Sequence, residues 1–323
     1  VWNPDSLWSN VCQCIGEVVA QVGGAERIQA VACTGFGTDG LPLDKSGKPV
    51  YPFISWHCGR TVPQRAKMAG CVSDAESFQI TGYHNYHINT ANRFLWFREH
   101  RPDVLEKTHR WLWIQDYVAF KLSGEYSTEC TIASTSMLLD LAQRTWSQRM
   151  LDACEIDLSI LPETSEAGTQ IGVVTARAAT ETGLRPGTPV VTGGHDCEIA
   201  VLGAGVRDPD TWIDITGTWE ILIATVDRFR PTQEHHANGL DFECHALPNQ
   251  WICQSLMIAG AVTEWVRANF YRDVPGDAAY ATMFAEAETP SNGVYMLPSF
   301  MRGMGPDAST HALGTILGLQ TMT

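Results

Sequence analysis

The sequence predicts an α/β protein with a mixed sheet, and three observations lead to that prediction. Short apolar runs such as residues 28–33 and 188–192 have the length and composition of buried strands. Segments with apolar residues at helical spacing separate these runs. Glycine-rich turns follow both runs, where a chain commonly leaves a strand. Strands that alternate with helices are typical of the α/β class.

The expected elements follow from periodicity and turn residues. Residues up to 130 are predicted to form an amphipathic helix ended by Gly23-Gly24, a strand over 28–33, a hairpin over 41–56 that turns at KSGK, and then mainly helices. The rest is predicted to form a strand over 135–140, a helix over 145–156 capped by Thr145, a strand over 171–175, a helix over 176–183, the strand over 188–192 and a hairpin over 212–225. Residues 206–211 are the best candidate for a linker between two lobes.

Composition limits the partners and the compartment. The net charge of −14 argues against a nucleic-acid or membrane surface, because attraction to phosphate needs clustered Lys and Arg. The sequence contains no run of about 18 apolar residues, so we expect no membrane span. The ten cysteines form neither a CxxC pair nor a zinc-finger pattern. We therefore expect free thiols and a cytoplasmic protein.

The segment GTPVVTGGHDCEIAVLGAG, residues 187–205, holds the first candidate for chemistry. His195 and Asp196 lie on its turn between a strand-like and a helix-like part. Asp196 is interpreted either as the N-terminal cap of the helix or as a general base. A carboxylate near a helix N-terminus stays ionised, which is the state that takes a proton from an alcohol. His195 is likewise either a hydrogen-bonded structural residue or part of a site.

Three further segments each have a structural and a functional interpretation. TGT at 216–218 is either an ordinary hairpin turn or a phosphate site, in which Gly217 and Thr218 offer N–H groups and a hydroxyl to an anion. GFGTDG at 35–40 is either a loop or a turn that presents polar side chains to a hydroxylated ligand. SWHCGRT at 55–61 is either a packed loop end or a sugar-binding surface. The residues concerned in these last two segments are Thr38, Asp39, Trp56 and Arg60. ANRFLWFREHRP at 91–102 is predicted to be a core helix with a Phe94/Phe97 face.

Together these motifs resemble the FGGY family of carbohydrate kinases. TANRFLWFREH is similar to the family's helical signature, with Arg93 where a lysine is usual. GTPVVTGGHDCEIAVLGAG resembles the family's catalytic block, and DITGTWEIL resembles its second phosphate hairpin. The resemblance covers almost the whole chain in family order.

The resemblance implies an actin-like ATPase fold of two RNase H-like lobes, with sugar and ATP in the cleft between them. Asp196 would be the general base for the sugar hydroxyl, and Gly217 and Thr218 would face the nucleotide phosphates. The candidates for the sugar pocket are Thr38, Asp39, Trp56, Arg60 and His195. ATP and Mg²⁺ would be required, and no residue is assigned to the metal. We expect a sugar and ATP as partners, neither nucleic acid nor a membrane, and a homodimer as an assembly to test.

Within the family, the motifs are most similar to those of kinases that act on L-fuculose. Kinases of L-rhamnulose are near relatives, so L-rhamnulose or another pentulose or hexulose is the alternative substrate. The family also has an opening D-x-G-T-x-x-R hairpin and a later Gly-Gly-Gly motif, which this sequence does not contain. We therefore expect residues 1–205 to be a sugar-binding N-terminal lobe without its first phosphate hairpin. Residues 206–323 would be the truncated start of a nucleotide-binding lobe. A sugar-binding fragment without catalysis is the alternative of a different class.

Overall fold

The computed structural model describes residues 1–209, 211–217, 219–287, 293–298 and 314–320. The α-helices are α1 (Pro4–Gln21), α2 (Val62–Cys71), α3 (Asp74–Thr81), α4 (Thr90–His100), α5 (Pro102–Lys107), α6 (Ile114–Ser123), α7 (Cys130–Ser134), α8 (Gln148–Cys154), α9 (Ala176–Thr182), α10 (Asp196–Gly203), α11 (Gln233–Ala237), α12 (Gly260–Phe270) and α13 (Gly276–Ala287). The strands are β1 (Val31–Gly35), β2 (Gly40–Leu43), β3 (Arg110–Trp113), β4 (Thr128–Glu129), β5 (Leu139–Asp140), β6 (Thr145–Trp146), β7 (Thr164–Ser165), β8 (Gln170–Val173), β9 (Pro189–His195), β10 (Trp212–Thr216), β11 (Trp219–Val226), β12 (Leu240–Cys244), β13 (Trp251–Ile258), β14 (Tyr295–Leu297) and β15 (Thr315–Leu317). Within the described ranges, no helix combines the length and the apolar character that a membrane span requires.

Two sheets organise the fold. The first has the strand order β1-β9-β8, in which β1 and β9 are parallel and β8 and β9 antiparallel. This confirms the predicted mixed sheet. The second is antiparallel throughout, with the order β10-β11-β13-β12. Its first two strands form the hairpin predicted over 212–225, so that prediction is also confirmed.

Two predictions for the first half of the chain meet different outcomes. The N-terminal helix is confirmed: Asn3 caps α1 by accepting hydrogen bonds from the N–H groups of Asp5 and Ser6, and Pro4 occupies the first turn. The prediction of a hairpin over 41–56 is wrong. Its turn forms, but β2 pairs with the distant β3, and residues 49–56 contribute only isolated bridges. Pro49 and Pro52 have no N–H to donate, so this arm cannot sustain a ladder.

The predicted cap at Thr145 is also wrong. Thr145 lies in β6, opposite Asp140 of β5. Ser147 caps α8 instead, by accepting a hydrogen bond from the N–H of Met150. Serine and threonine have similar capping ability, so the sequence offered two starting points for this helix. Strand pairing decided between them.

The α4 helix confirms the predicted aromatic core. Phe94 and Phe97 are fully buried, and both rings pack against Trp111 of β3. Complete burial of each aromatic side chain stabilises the fold by about 2–3 kcal/mol. A separate cluster joins the two halves of the chain, since Phe242 and Cys244 of β12 pack with Leu139 of β5 and Phe78 of α3. The second sheet is therefore anchored to the first half through β12.

Candidate active site

A close approach of two strands shapes the turn that carries Asp196. A Cβ on Gly193 would lie only 1.9 Å from the carbonyl oxygen of Cys33 in β1, so any side chain there would collide with backbone. The register of β1 and β9 shifts at this point. Glycine thus lets β9 continue against β1 until α10 begins. The junction lies at the carboxyl end of a parallel strand, where α/β folds commonly bind ligands.

Asp196 is the first residue of α10, and His195 occupies the cap position without a side-chain cap bond. One carboxylate oxygen of Asp196 accepts a hydrogen bond from the N–H of Cys197 at 3.0 Å. The Asp196 side chain remains 53% exposed. Asp196 therefore occupies the first helical position and not the cap position. Its carboxylate stays accessible to a ligand. The role of general base stays a prediction.

His195 connects α10 with the second sheet. Its backbone N–H donates to the hydroxyl of Thr131, 2.8 Å away. Its Nδ1 lies 2.7 Å from Glu198 Oε2 and 2.9 Å from Glu243 Oε2, and both glutamates are fully buried. Its Nε2 lies 3.5 Å from Asp196 Oδ1. One imidazole ring thus links two buried carboxyl groups to the exposed carboxylate of Asp196.

Burial and neighbouring charge shift the pKa values of this cluster in a consistent way. Burial, together with the negative charge of Glu243, raises the pKa of Glu198 to about 8. Burial alone would lower the pKa of His195, but the adjacent Glu198 and Glu243 outweigh it and hold that pKa well above its usual value. A positively charged imidazole is therefore favoured beside Asp196.

The glycine-rich turn at 35–40 lies against His195. A Cβ on Gly37 would be 2.7 Å from Thr135 Cγ2 and 3.2 Å from His195 Nε2, so glycine allows the close approach. Thr38 has a φ of +70°, which is strained for a β-branched residue. Its N–H donates to the Thr135 hydroxyl at 3.0 Å, and Arg93 donates to its carbonyl oxygen. The structure thus brings the predicted Thr38 turn and His195 together.

Asp39 lies behind this turn in a buried ion pair. Arg93 Nη2 donates to Asp39 Oδ1 at 2.8 Å, and the indole N–H of Trp2 donates to Asp39 Oδ2 at 2.8 Å. Thr38 and Asp39 are both buried, and the Asp39 carboxylate is satisfied within the protein. Direct contact of either side chain with a sugar stays a prediction. The aromatic pattern of 91–102 concealed Arg93, although a charged residue beside a core face could have signalled a buried partner.

The side chains of Trp56 and Arg60 contact different parts of the protein. Trp56 stacks on His57 and lies 6.5 Å from the ring of Trp219, at the start of β11. Arg60 donates to the Tyr51 hydroxyl and the Cys58 sulfur, both at 3.0 Å, and its guanidinium lies over the Trp96 ring. Trp56 thus approaches the predicted phosphate hairpin, whereas Arg60 packs against its own loop and against Trp96 of α4.

The hairpin of β10 and β11 packs against α10. Val201 of α10 shares a cluster with Ile221 and Ile223 of β11, and Cys197 and Trp219 border it. Gly217 is exposed at the turn, and its N–H donates to the carbonyl of Trp219 at 2.8 Å. That N–H is therefore used inside the turn. Thr218 lies outside the described residues.

Two groupings of side chains merit comparison as metal sites. His195 combines with Asp196 and Cys197, or with Glu198 and Glu243, so that the ligand atoms lie within 4.8 Å of one another. Neither group is made of oxygen donors alone, which Mg²⁺ prefers.

Asp214 of β10 and Glu220 of β11 provide such donors beside Gly217. A hydrogen bond with Asp214 raises the pKa of Glu220, which shows that the two carboxyls meet. Sequence analysis missed this pair. The observed register places Glu220 opposite Thr216 and Asp214 opposite Leu222, so the two carboxyls are diagonal neighbours on one face of the hairpin.

A cavity of about 950 Å³ lies elsewhere, between the start of α1, the loop at 46–52 and α6. None of the predicted site residues that the structure describes lines it. The convergence of α10, the turn at 35–40 and the β10–β11 hairpin on Asp196 is therefore a stronger guide to the active site than this cavity.

Comparisons with known proteins agree with this arrangement. The chain is 32% identical over 270 residues to L-fuculokinase of Escherichia coli K12, a match that covers 84% of this chain and 57% of the relative. It is 27% identical over 326 residues to autoinducer-2 kinase of Enterobacter sp. strain 638, covering 98% of this chain and 61% of the relative. Its fold is similar to that of xylulose kinase from Rhodospirillum rubrum, with a TM-score of 0.87, 24% identity, and coverage of 99% and 65% of the two chains.

The chain thus spans less than two thirds of the length of these relatives. The structural similarity confirms the predicted fold, the α/β architecture of these sugar kinases. Residues 1–203 match the sequence model of the FGGY family of carbohydrate kinases, N-terminal domain. Because this match covers more than half of its length, the chain belongs to the FGGY family of carbohydrate kinases.

Proposed function

We propose that this chain acts in an ATP-dependent sugar kinase that phosphorylates the terminal hydroxyl of a ketose, with Asp196 as the general base. The observation that carries the proposal is the exposed Asp196 carboxylate at the end of a parallel strand, bordered by His195 and packed beside the β10–β11 hairpin. L-Fuculose is the first candidate substrate, because relatives named L-fuculokinase match the chain at 30–32% identity.

The chemistry requires little from the protein beyond position and charge. The sugar oxygen attacks the γ-phosphorus, its proton passes to a carboxylate oxygen of Asp196, and the bond to ADP breaks. Asp196 is suited to this step because it is exposed. Within the described part of the chain, it accepts one backbone hydrogen bond, at Oδ1, which leaves Oδ2 free. An imidazolium at His195 adds a positive charge beside the reacting groups.

The carboxyls of Asp214 and Glu220 fit Mg²⁺ bound together with a nucleotide. They provide oxygen donors at the turn that we assign to the phosphates, and their mutual hydrogen bond shows that both reach the same point. When bound, the ion neutralises charge on the phosphates. Residues 1–205 would supply the sugar site and residues from 206 onward the nucleotide site. All ten cysteines are free thiols, which fits the reducing cytoplasm where we place the reaction.

A second candidate substrate comes from the comparisons. Relatives named autoinducer-2 kinase match the chain over 81–98% of its length. That substrate is therefore tested beside L-fuculose, L-rhamnulose and D-xylulose.

The test measures ADP release from ATP and Mg²⁺ by the full-length protein with each of these four substrates. Asp196→Asn preserves the shape of the side chain but removes the base, and we expect turnover to fall by about 10²–10⁴-fold. Asp208→Asn, an exposed substitution of the same kind, should leave turnover unchanged. Preferential turnover of one substrate, lost only in Asp196→Asn, would support the proposal. Equal rates in both variants would remove Asp196 from the chemistry, and sugar binding without ADP release would favour a binding protein.

A further inference from the structure

Two buried carboxyl groups compete for one nitrogen of His195. The Nδ1–H can point at only one acceptor, and its direction meets Glu243 Oε2 at 2.9 Å. Glu198 Oε2 is nearer, at 2.7 Å, yet neither oxygen of Glu198 accepts a hydrogen bond from the residues that the structure describes. A fully buried carboxylate without a donor is costly, so the cluster must carry protons that a single neutral histidine cannot supply.

The surrounding side chains indicate where those protons lie. Glu243 Oε1 accepts hydrogen bonds from the Tyr83 hydroxyl at 3.0 Å and from Gln254 Nε2 at 2.7 Å, and its Oε2 faces His195 Nδ1, so both oxygens of Glu243 have partners within the protein. Among the described residues, Glu198 has no such donors. Burial raises its pKa to about 8, whereas the charge of His195 lowers it, so a positive ring is what stabilises a carboxylate at Glu198. A protonated His195 then balances the charge of Glu243. Asp196, Cys197 and Glu129 are the other titratable groups that act on this cluster.

The ring orientation directs the second proton outward. Nδ1 faces the two glutamates, whereas Nε2 lies 3.5 Å from Asp196 Oδ1 and borders Gly37. A neutral ring with Nδ1–H would present a lone pair at Nε2, which accepts hydrogen bonds. An imidazolium presents an N–H there, which donates them. The two glutamates thus decide what kind of hydrogen bond the site offers to a ligand.

We propose that Glu198 and Glu243 are positioning residues that hold His195 as an imidazolium, with its Nε2–H as a fixed donor beside Asp196. The assignment rests on the proposed function, since it concerns the same site. Glu243 belongs to β12 of the second sheet, whereas His195 and Glu198 belong to β9 and α10. The donor is therefore assembled only when β12 is docked against the first half of the chain.

A transition metal among the same three groups fits the distances less well. Zinc holds its nitrogen and oxygen ligands at about 2.0–2.2 Å, which separates tetrahedral ligand atoms by about 3.4 Å. The observed separations of 2.7 and 2.9 Å are those of hydrogen bonds and ion pairs.

The first test needs no enzymatic activity. Full-length protein labelled with ¹⁵N-histidine is titrated by NMR without sugar or nucleotide, and the His195 signals are assigned by their loss in His195→Gln. We expect two protonated ring nitrogens at pH 7. In Glu243→Gln the protonation midpoint should fall by about one pH unit or more, and Glu243→Asp should restore part of the shift. Glu181→Gln, which changes a carboxylate bonded to Trp8, serves as the remote control.

The second test follows kcat/KM against pH. Loss of the imidazolium should make activity decline on the alkaline side, and Glu243→Gln and Glu198→Gln should each move that decline toward lower pH. A merely structural role would lower activity without moving the profile. A neutral His195 at pH 7 in the unmodified protein, or a midpoint unaffected by Glu243→Gln, would overturn the proposal. Absence of kinase activity on every sugar would overturn the proposed function, while the NMR result would still decide the state of His195.

Discussion

Arg93 and Asp39 form an ion pair that is almost completely withdrawn from solvent, with 2.8 Å between Nη2 and Oδ1 and at most 1% exposure of either side chain. Arg93 also donates to the carbonyl oxygen of Thr38, whose backbone is strained. One guanidinium therefore neutralises Asp39 and holds the turn that lies against His195. This contact connects the aromatic core of α4 to the candidate active site.

Arg93→Met should destabilise the protein by about 3–5 kcal/mol, because it leaves the carboxylate of Asp39 buried without its counter-charge. Chemical denaturation measures the free energy of unfolding. The control is Arg149→Met, which breaks a pair with Glu76 in which both side chains are more than 40% exposed. That change should cost less than about 1 kcal/mol. Similar losses in the two variants would contradict the interpretation.

Gly193→Ala should disrupt the junction between β9 and α10. The added methyl would meet the Cys33 carbonyl at 1.9 Å, and backbone cannot move aside as a flexible side chain can. We expect a loss of about 3 kcal/mol in unfolding free energy, at the upper end of the range for overpacking. Gly203→Ala is the matched control at the other end of α10, where the methyl meets open space. It should be neutral or stabilise the helix by up to about 1 kcal/mol, and equal losses at both positions would argue against a specific collision.

The contact of His84 with Asp241 should make the free energy of unfolding depend on pH. Its Nδ1 lies 2.7 Å from Asp241 Oδ1, and its Nε2 lies 2.9 Å from the carbonyl oxygen of His236. Burial alone would lower the pKa of His84, but its hydrogen bond and charge interaction with Asp241, and a smaller effect of Asp74, raise it. A raised pKa means that the folded state binds this proton more tightly. The stabilisation is thus complete below about pH 6.5 and is lost as pH rises through the folded-state pKa.

The measurement is the free energy of unfolding from pH 5.5 to pH 8.5 for the unmodified protein and His84→Asn. Asparagine keeps a donor toward Asp241 but cannot titrate, so the decline in stability above pH 6.5 should become shallower. His57→Asn, at an exposed position, should leave the slope unchanged. An unchanged slope in His84→Asn would show that other groups cause the dependence.

Removal of either carboxylate beside Gly217 should weaken the binding of Mg²⁺. Asp214→Asn and Glu220→Gln are each expected to raise the Mg²⁺ concentration for half-maximal turnover by about tenfold. Calorimetry of ADP binding with and without Mg²⁺ gives a readout that does not depend on turnover. Asp208→Asn again serves as the control, and an unaltered Mg²⁺ requirement in both variants would assign the ion to other residues.

Several elements were predictable because their signals are local. The glycine that ends the first helical pattern and the turn between β10 and β11 each act within a few residues. The prediction of a hairpin over 41–56 failed because only its turn depends on local sequence. The partner of β2 is β3, which comes from residues 110–113. Likewise, Ser147 replaced Thr145 as a cap because β6 pairs with β5.

The sequence by itself determined the α/β class, the family and the placement of Asp196 at a strand-to-helix junction, because these depend on patterns that are read along the chain. The tertiary structure alone decided that Arg93 neutralises Asp39, that Arg60 lies over Trp96, and that Glu243 reaches His195. The physical reason is that buried charges must find partners in space, and those partners lie 48 to 54 positions apart in the two ion pairs. No periodicity or spacing in the sequence records that pairing.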